Sequence, residues 1–262
     1  MLLAVGALLT ATLTACTPAP DAVEPPAEPA VGECRLIDRP EQFAVLEEGS
    51  PVVDCAAEHS AETYFVGELG AERDAYPVLG EREAIAAEAC PPARVRGYLA
   101  AHERQALYGV WTVPWLPAEE QWQQGARWVR CDLVTVADEA GAFDPLVHTA
   151  SLAGAAADAA RADALTRCYA ADGAIADPLL SGPEETLDVR CDQPHQYRDV
   201  NHWLRQEAVP TTGLAIRDCA ATVQEWIGLG LRASSGVAGV LRQEANGNLT
   251  LRCVSVDADV AA

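Results

Sequence analysis

The chain contains no lysine: all 18 of its basic residues are arginine, and 39 Asp and Glu residues carry it to a net charge of −21 over 262 residues. An excess of negative charge this large repels nucleic acid, anionic lipid surfaces and acidic wall polymers, so nucleic acid is excluded as a partner. Cations and cationic partners are less penalised. No Gly-rich phosphate loop, no Gly-x-Ser-x-Gly elbow and no His-Glu-x-x-His helix occurs, so the common motifs of nucleotide, serine-hydrolase and zinc-peptidase chemistry are missing. No cofactor is expected.

The apolar run Leu2 to Leu13 is too short for a bilayer core of about 30 Å, which needs roughly 20 apolar residues. It leads into Leu13-Thr14-Ala15-Cys16, the order a lipoprotein signal peptidase reads. Residues 1–16 are therefore expected to be a lipoprotein leader with Cys16 as the lipidated residue, whose thiol forms a diacylglyceryl thioether before cleavage. A leader normally opens with Lys or Arg, whereas the first basic residue here is Arg35, so the true start is expected upstream of Met1. Residues 17–31 follow, with Pro18, Pro20, Pro25, Pro26 and Pro29 and no aromatic anchor; this composition predicts an extended, disordered tether. The expected location is extracytoplasmic, on the outer face of the cytoplasmic membrane.

Eight cysteines remain once Cys16 is set aside, an even number in a chain expected to reach an oxidising compartment. They fall into two sets, Cys34, Cys55, Cys90, Cys131 and Cys168, Cys191, Cys219, Cys253, with neighbours 21, 35 and 41 residues apart in the first and 23, 28 and 34 in the second. Local sequence repeats too. Cys55 is followed by His59 and Cys191 by His195 at the same offset, and Arg130-Cys131 pairs with Arg252-Cys253. The pattern predicts a tandem duplication. Each repeat reads strand, strand, helix, strand: β-like runs at Thr63 to Val66 and Val200 to Leu204, helices at Glu81 to Cys90 and around Cys219 to Leu231, final strands at Arg127 to Val136 and Leu249 to Val256.

The expected fold class is α+β, with two small disulfide-stabilised domains at 32–156 and 157–257, each a small antiparallel sheet with a packed helix. Four cysteines allow three pairings per repeat and the spacing leaves all three open. The preferred set is Cys34–Cys55, Cys90–Cys131, Cys168–Cys191 and Cys219–Cys253, because the first two of each set lie on consecutive strands and the helix must pack on the last. The Ala-rich stretch Leu152 to Leu165 is expected to be a helix joining the repeats, since Ala is the best helix former.

These residues resemble the septum-formation domain of actinobacterial lipoproteins and membrane proteins. That pattern opens with Gly-Asp-Cys, continues with Val-Asp-Cys, then Pro-His and an acidic residue. Here Val31-Gly32-Glu33-Cys34 and Val53-Asp54-Cys55 are followed by His59 and Glu62. Cys90 is similar to the Cys that ends the family's helix, and Pro117, Trp122, Gly125-Ala126-Arg127 and Cys131 to its closing segment. Thr149-Ala150-Ser151-Leu152-Ala153-Gly154 is similar to its Thr-Gly-Ser-Leu tail. In the second repeat, Cys191-Asp192-Gln193-Pro194-His195 fits the middle motif, while the closing Trp is missing and only Gly247 and Cys253 remain. The lysine-free, Ala-, Arg- and Gly-rich composition agrees with a GC-rich actinobacterial genome. The resemblance implies work in the cell envelope near the division septum and supplies no mechanism.

His59 and His195 are the best candidates for chemistry, because a Cys and a His at this spacing can share a metal or act as nucleophile and base. If the Cys is in a disulfide it can do neither, and the His then bonds to backbone. Glu47-Glu48, Glu119-Glu120 and Glu184-Glu185 could serve as acid and base on a glycan but read as solvated surface. Trp111, Trp115, Trp122 and Trp128 could form an exposed platform for sugars or a partner, or could pack in a core.

The resulting expectation is a non-enzymatic binding module, tied to the membrane through Cys16, whose partners are envelope or division proteins or cell-wall glycan. No metal site is assigned. An envelope-polymer hydrolase and a metal- or ligand-binding lipoprotein are the alternatives.

Overall fold

A computed structural model describes residues 28–37, 40–47, 49–70, 73–139, 143–171, 179–181, 186–206, 212–228, 234–243 and 248–257. Cys16 with the expected leader, most of the expected tether, Glu48, Glu184, Glu185, Leu231 and Gly247 lie outside the described residues. The described residues form an α+β fold of two sheets and four α-helices.

The first sheet contains β1 (Cys34–Arg35), β2 (Val52–Val53), β3 (Ala61–Glu68), β4 (Val110–Trp115) and β5 (Trp128–Thr135), in the order β2-β1-β3-β5-β4 with every pairing antiparallel. β5 is an interior strand buried on both faces, and its side chains divide with the strand period of two. Val129, Cys131 and Leu133 enter one core. Val134 enters another with Ile37, Ala61, Val113 and Trp115.

The first of these cores is covered by α1 (Arg82–Ala89) and α2 (Pro92–Leu99), which bury Ile85 and Ala89, and Val95 and Leu99, each pair one helical turn apart. Pro91-Pro92 ends α1 as expected, and it also opens α2. Pro92 sits at the start of that helix, where a missing N–H leaves no bond unmade. A short α3 (Glu119–Gln123), in the connection from β4 to β5, buries Trp122 in the same core.

The second sheet contains β6 (Arg167–Ala171), β7 (Leu179–Ser181), β8 (Thr186–Arg190), β9 (Tyr197–Gln206), β10 (Ser234–Gln243) and β11 (Leu249–Asp257), in the order β7-β10-β11-β9-β6-β8. Its pairings are antiparallel except for β7, which runs parallel to β10. α4 (Thr212–Gly228) lays Ala215, Cys219, Val223 and Trp226 on Val200, Leu251 and Cys253, a stripe with the i, i+4 spacing of an amphipathic helix. From the short edge inward, β8-β6-β9-β11-β10 runs in the same sense as β2-β1-β3-β5-β4, and β7 is an additional edge strand.

Four disulfides join Cys34 to Cys55, Cys90 to Cys131, Cys168 to Cys191 and Cys219 to Cys253. One in each half ties the first strand to the end of its edge partner, β1 to β2 and β6 to β8, and the other fastens the helix end or helix to the last strand. A bridge of this kind typically contributes about 2 to 4 kcal/mol.

Two expectations are corrected. Each half was expected to hold three strands and one helix, but β4 and β10 complete a hairpin with the last strand of each sheet. β4 contains Pro114, which only an edge strand tolerates and which hides the strand pattern. The Ala-rich stretch is not a helix. It forms two 3-10 turns, Ala155–Ala157 and Ala162–Leu165. Gly154 enters the first at φ 70°. Asp158 then accepts from the backbone N–H of Ala160 and from Arg161 Nε, bonds that compete with helix continuation. Burial of Leu152, Ala155, Ala156 and Leu165 in the first core outweighs the helix preference of Ala.

The halves are joined by backbone as well as side chains. Tyr108 N–H donates to the Leu165 carbonyl at 3.0 Å and Arg167 N–H to the Ala106 carbonyl at 2.8 Å. Gln105 Nε2 donates to Thr166 Oγ1 at 2.9 Å, and Arg167 pairs with Glu139 at 3.0 Å.

Candidate functional site

β3 turns the side chain of Glu62 into the protein, where it is fully buried. Tyr98 Oη and Ser151 Oγ both donate to Glu62 Oε1 at 2.5 Å, and Leu152 N–H donates to Oε2 at 2.6 Å. Three short bonds to one carboxylate make the hub that fixes the segment 149–154 against the first sheet. Burial, with the carboxylate beside it, raises the Tyr98 phenol far above its usual range, so it stays a donor.

His59 lies beside this hub with no exposed surface. Its Nδ1 is 2.9 Å from the Ala57 carbonyl, which can only accept, so Nδ1 carries the hydrogen. Its Nε2 has no hydrogen-bond partner among the described residues and lies 3.8 Å from Glu62 Oε2. Sγ of Cys34, His59 and Glu62 come within 4.8 Å of one another, but that sulfur is committed to a disulfide and offers no thiolate for a metal or an attack.

The backbones of His59 and His148 exchange two hydrogen bonds, at 2.9 and 2.7 Å. The His148 ring reaches Thr135 Oγ1 at 2.6 Å. Burial, reinforced by His59, lowers the pKa of His148, so its ring is neutral near pH 7.

The counterpart in the second half is built differently. His195 is buried, its Nδ1 2.7 Å from the Gln193 carbonyl and its Nε2 2.7 Å from Asp257 Oδ2. Both ring nitrogens face oxygens, one of the backbone and one of a carboxylate, and so the ring is held from two sides. Arg198 also reaches Asp257 Oδ2, at 3.3 Å, and Asp163 at 2.9 Å. Burial on its own would raise Asp257, but the bonds from His195 and Arg198 outweigh it and hold the carboxyl below its usual range. The sulfurs of Cys168 and Cys191 lie beside His195 and are again joined to each other.

The tryptophans do not form one platform. Trp115 and Trp122 are core residues, at 0% and 2% exposure. Trp128 is half-buried, and Trp111, 43% exposed, packs edge-on against Phe143. The most exposed tryptophan is Trp203 of β9, at 59%, which no spacing argument singled out. Glu119 and Glu120 are exposed at the start of α3, as solvated residues.

A cavity of about 420 Å³ opens next to the hub. Leu146, Leu152 and Leu165 give it an apolar wall, while His148, Arg161 and Arg190 bring polar groups to it. Arg161 Nη1 donates to the Ser151 carbonyl, and so holds the segment that Glu62 holds from the other side. The sequence pointed to His59 and Glu62, and to Ser151 only as part of the family tail, but not to Tyr98, Thr135, His148, Arg161 or Arg190. The one signal pointing there was the Thr149–Gly154 tail of the family pattern.

Fold and site together define a disulfide-bonded α+β protein with two sheets that share a cleft, its acidic and imidazole groups largely spent on holding the scaffold. Among the described residues no helix is long and apolar enough to cross a membrane. The chain belongs to the septum formation family, whose pattern matches it in one span from residue 31 to residue 238. No curated protein and no solved structure matches the chain.

Proposed function

We propose that this chain is a lipid-anchored envelope protein, attached through Cys16, that acts as a non-enzymatic binding module in septum formation or cell division. Family membership over residues 31–238 is the observation that carries the septal part of the reading. The anchor rests on the Leu13-Thr14-Ala15-Cys16 motif, and disulfide bonding agrees with an extracytoplasmic site. The matching strand orders of the two sheets, with disulfides at corresponding places, support an origin by tandem duplication into domains at 32–156 and 157–257. The lysine-free composition supports an actinobacterial source.

The non-enzymatic reading is supported by how the best candidates for chemistry are used. Both oxygens of Glu62 accept hydrogen bonds from the scaffold, and His59 is sealed beneath the surface next to a disulfide. A hydrolase needs an acid and a base that reach a bound substrate. The envelope or division proteins and wall glycans expected as partners are consistent with such a module. Deleting the gene in its host is expected to give misplaced or delayed septa, restored by the wild-type chain but not by Cys16→Ala, which should also leave the membrane fraction. Normal septation after deletion would remove the septal reading, and a Cys16→Ala protein that stays membrane-bound would remove the anchor.

A further inference from the structure

We infer that the cavity beside the Glu62 hub binds a small ligand with an apolar body and a single carboxylate. This names a ligand class for the binding module proposed above and rests on that reading. The volume of about 420 Å³ falls within the roughly 300 to 1,000 Å³ of small-molecule sites. Its walls divide by chemistry: Leu146, Leu152, Leu165 and Ala164 supply alkyl surface, and Arg161 and Arg190 supply charge.

The two arginines come from different parts of the chain, one from the segment between the sheets and one from the end of β8. Both lie close enough to His148, itself in the wall, to disfavour its protonation. Their known partners leave donors over. Arg190 uses Nε on Asp192, and Arg161 uses Nε on Asp158 and Nη1 on the Ser151 carbonyl. Arg161 Nη2 and both terminal nitrogens of Arg190 have no partner among the described residues. An arginine fork with free terminal nitrogens is suited to a planar carboxylate.

The charge of the whole chain narrows the choice further. At −21, the protein repels a dianion more than a monoanion, which favours a carboxylate over a phosphate ester. The wall is also held in place before any ligand arrives, because Glu62 fixes the Leu152 N–H and Arg161 fixes the Ser151 carbonyl. A preformed wall spares the ligand the ordering of a loop. The same chemistry is offered by a short acyl chain and by the free end of a peptide of small residues.

Calorimetric titration of the oxidised full chain tests this with four probes: octanoate, octanamide, N-acetyl-trialanine and its C-terminal amide. At least one carboxylate is expected to bind, with its amide about tenfold weaker or worse. Arg190→Gln should lose a similar factor at unchanged melting temperature. If that variant does not fold, the acid and amide comparison on the wild type decides by itself. Binding of octanoate alone identifies an acyl ligand, binding of the peptide alone a chain end, and binding of both a general carboxylate site. No binding by either acid, or amides that bind as well as acids, overturns the inference. A protein that reaches the septum with an indifferent cavity removes this inference alone, and one that binds carboxylates without affecting septation removes only the septal reading.

Discussion

Replacing Glu62 with Ala removes the acceptor of three hydrogen bonds at once, those from Tyr98, Ser151 and Leu152. A hydrogen bond to a charged group is worth about 1.5 to 3 kcal/mol, and the three share one carboxylate, so they do not simply add. The donors stay behind without their acceptor, each unsatisfied buried donor costs about 1 to 3 kcal/mol, and the total loss is expected to be about 3 to 5 kcal/mol. Glu62→Gln separates hydrogen bonding from charge. Its amide oxygen can accept from Leu152 N–H, while its NH2 donates to the Tyr98 and Ser151 hydroxyls, which can turn to accept. That variant should lose only about 1 to 2 kcal/mol. Guanidinium unfolding of the oxidised protein, followed by tryptophan fluorescence, reads both, and hydrogen exchange at the Leu152 amide should accelerate sharply in Glu62→Ala only. A Glu62→Ala protein within about 0.5 kcal/mol of wild type, the range of a neutral surface change, would refute the hub. Equal losses in the two variants would refute its hydrogen-bonded basis.

Asp257→Asn should cost about 3 kcal/mol at pH 7, because it leaves His195 and Arg198 without their shared carboxylate. The folded state lowers the Asp257 pKa, so this stability is present above the ordinary Asp range near pH ~4 and is lost as pH falls through the lower folded value. Melting temperatures of the two proteins should therefore converge as the pH falls below the ordinary Asp range, and a gap as wide in acid as at neutral pH would contradict the network. Gly109→Ala should be severely destabilising, since its φ is +66° and an added Cβ would lie 2.4 Å from the Val136 carbonyl oxygen. Gly154→Ala, at φ +70° with nothing within 4 Å, should cost only about 1 to 2 kcal/mol; equal melting temperatures for these two variants would show that contact does not matter. Mild reduction should open Cys34–Cys55 first, because Cys55 is half-buried whereas the other seven bridged cysteines are buried. Mass mapping of alkylated thiols checks the order, and earlier opening of Cys90–Cys131 would contradict it.

The long strands and the main helices were legible in the sequence because each buries a face with its own period. β5 and β11 alternate, and α4 carries its apolar residues at i, i+4. β4 and β10 were not, because Pro114 and the small residues of Ser234–Gln243 give no strand signal, and both strands exist through pairing with a partner. The Ala-rich segment shows the opposite failure: its local preference for helix was strong, and burial of Leu152 and Leu165 overruled it.

Disulfide bonding followed from the even count and the repeated order of the cysteines. The site was legible only in part. His59 and Glu62 stood close to each other in sequence, but Tyr98, Ser151 and Leu152 reach Glu62 from 36, 89 and 90 residues away. The tryptophans misled because clustering along the chain says nothing of the face on which each one lands. Trp115 went to the core and Trp111 to the surface although both belong to β4.

The proposed role, a bound, non-catalytic component of the envelope at the septum, is open to direct test. The most direct measurement is the position of a functional fluorescent fusion through the division cycle, scored as signal at the new septum relative to the lateral envelope. Enrichment is expected to begin with septum ingrowth, to persist in Arg190→Gln, whose side chain serves only the cleft, and to disappear from the membrane in Cys16→Ala. Uniform envelope staining at every stage of division would contradict it.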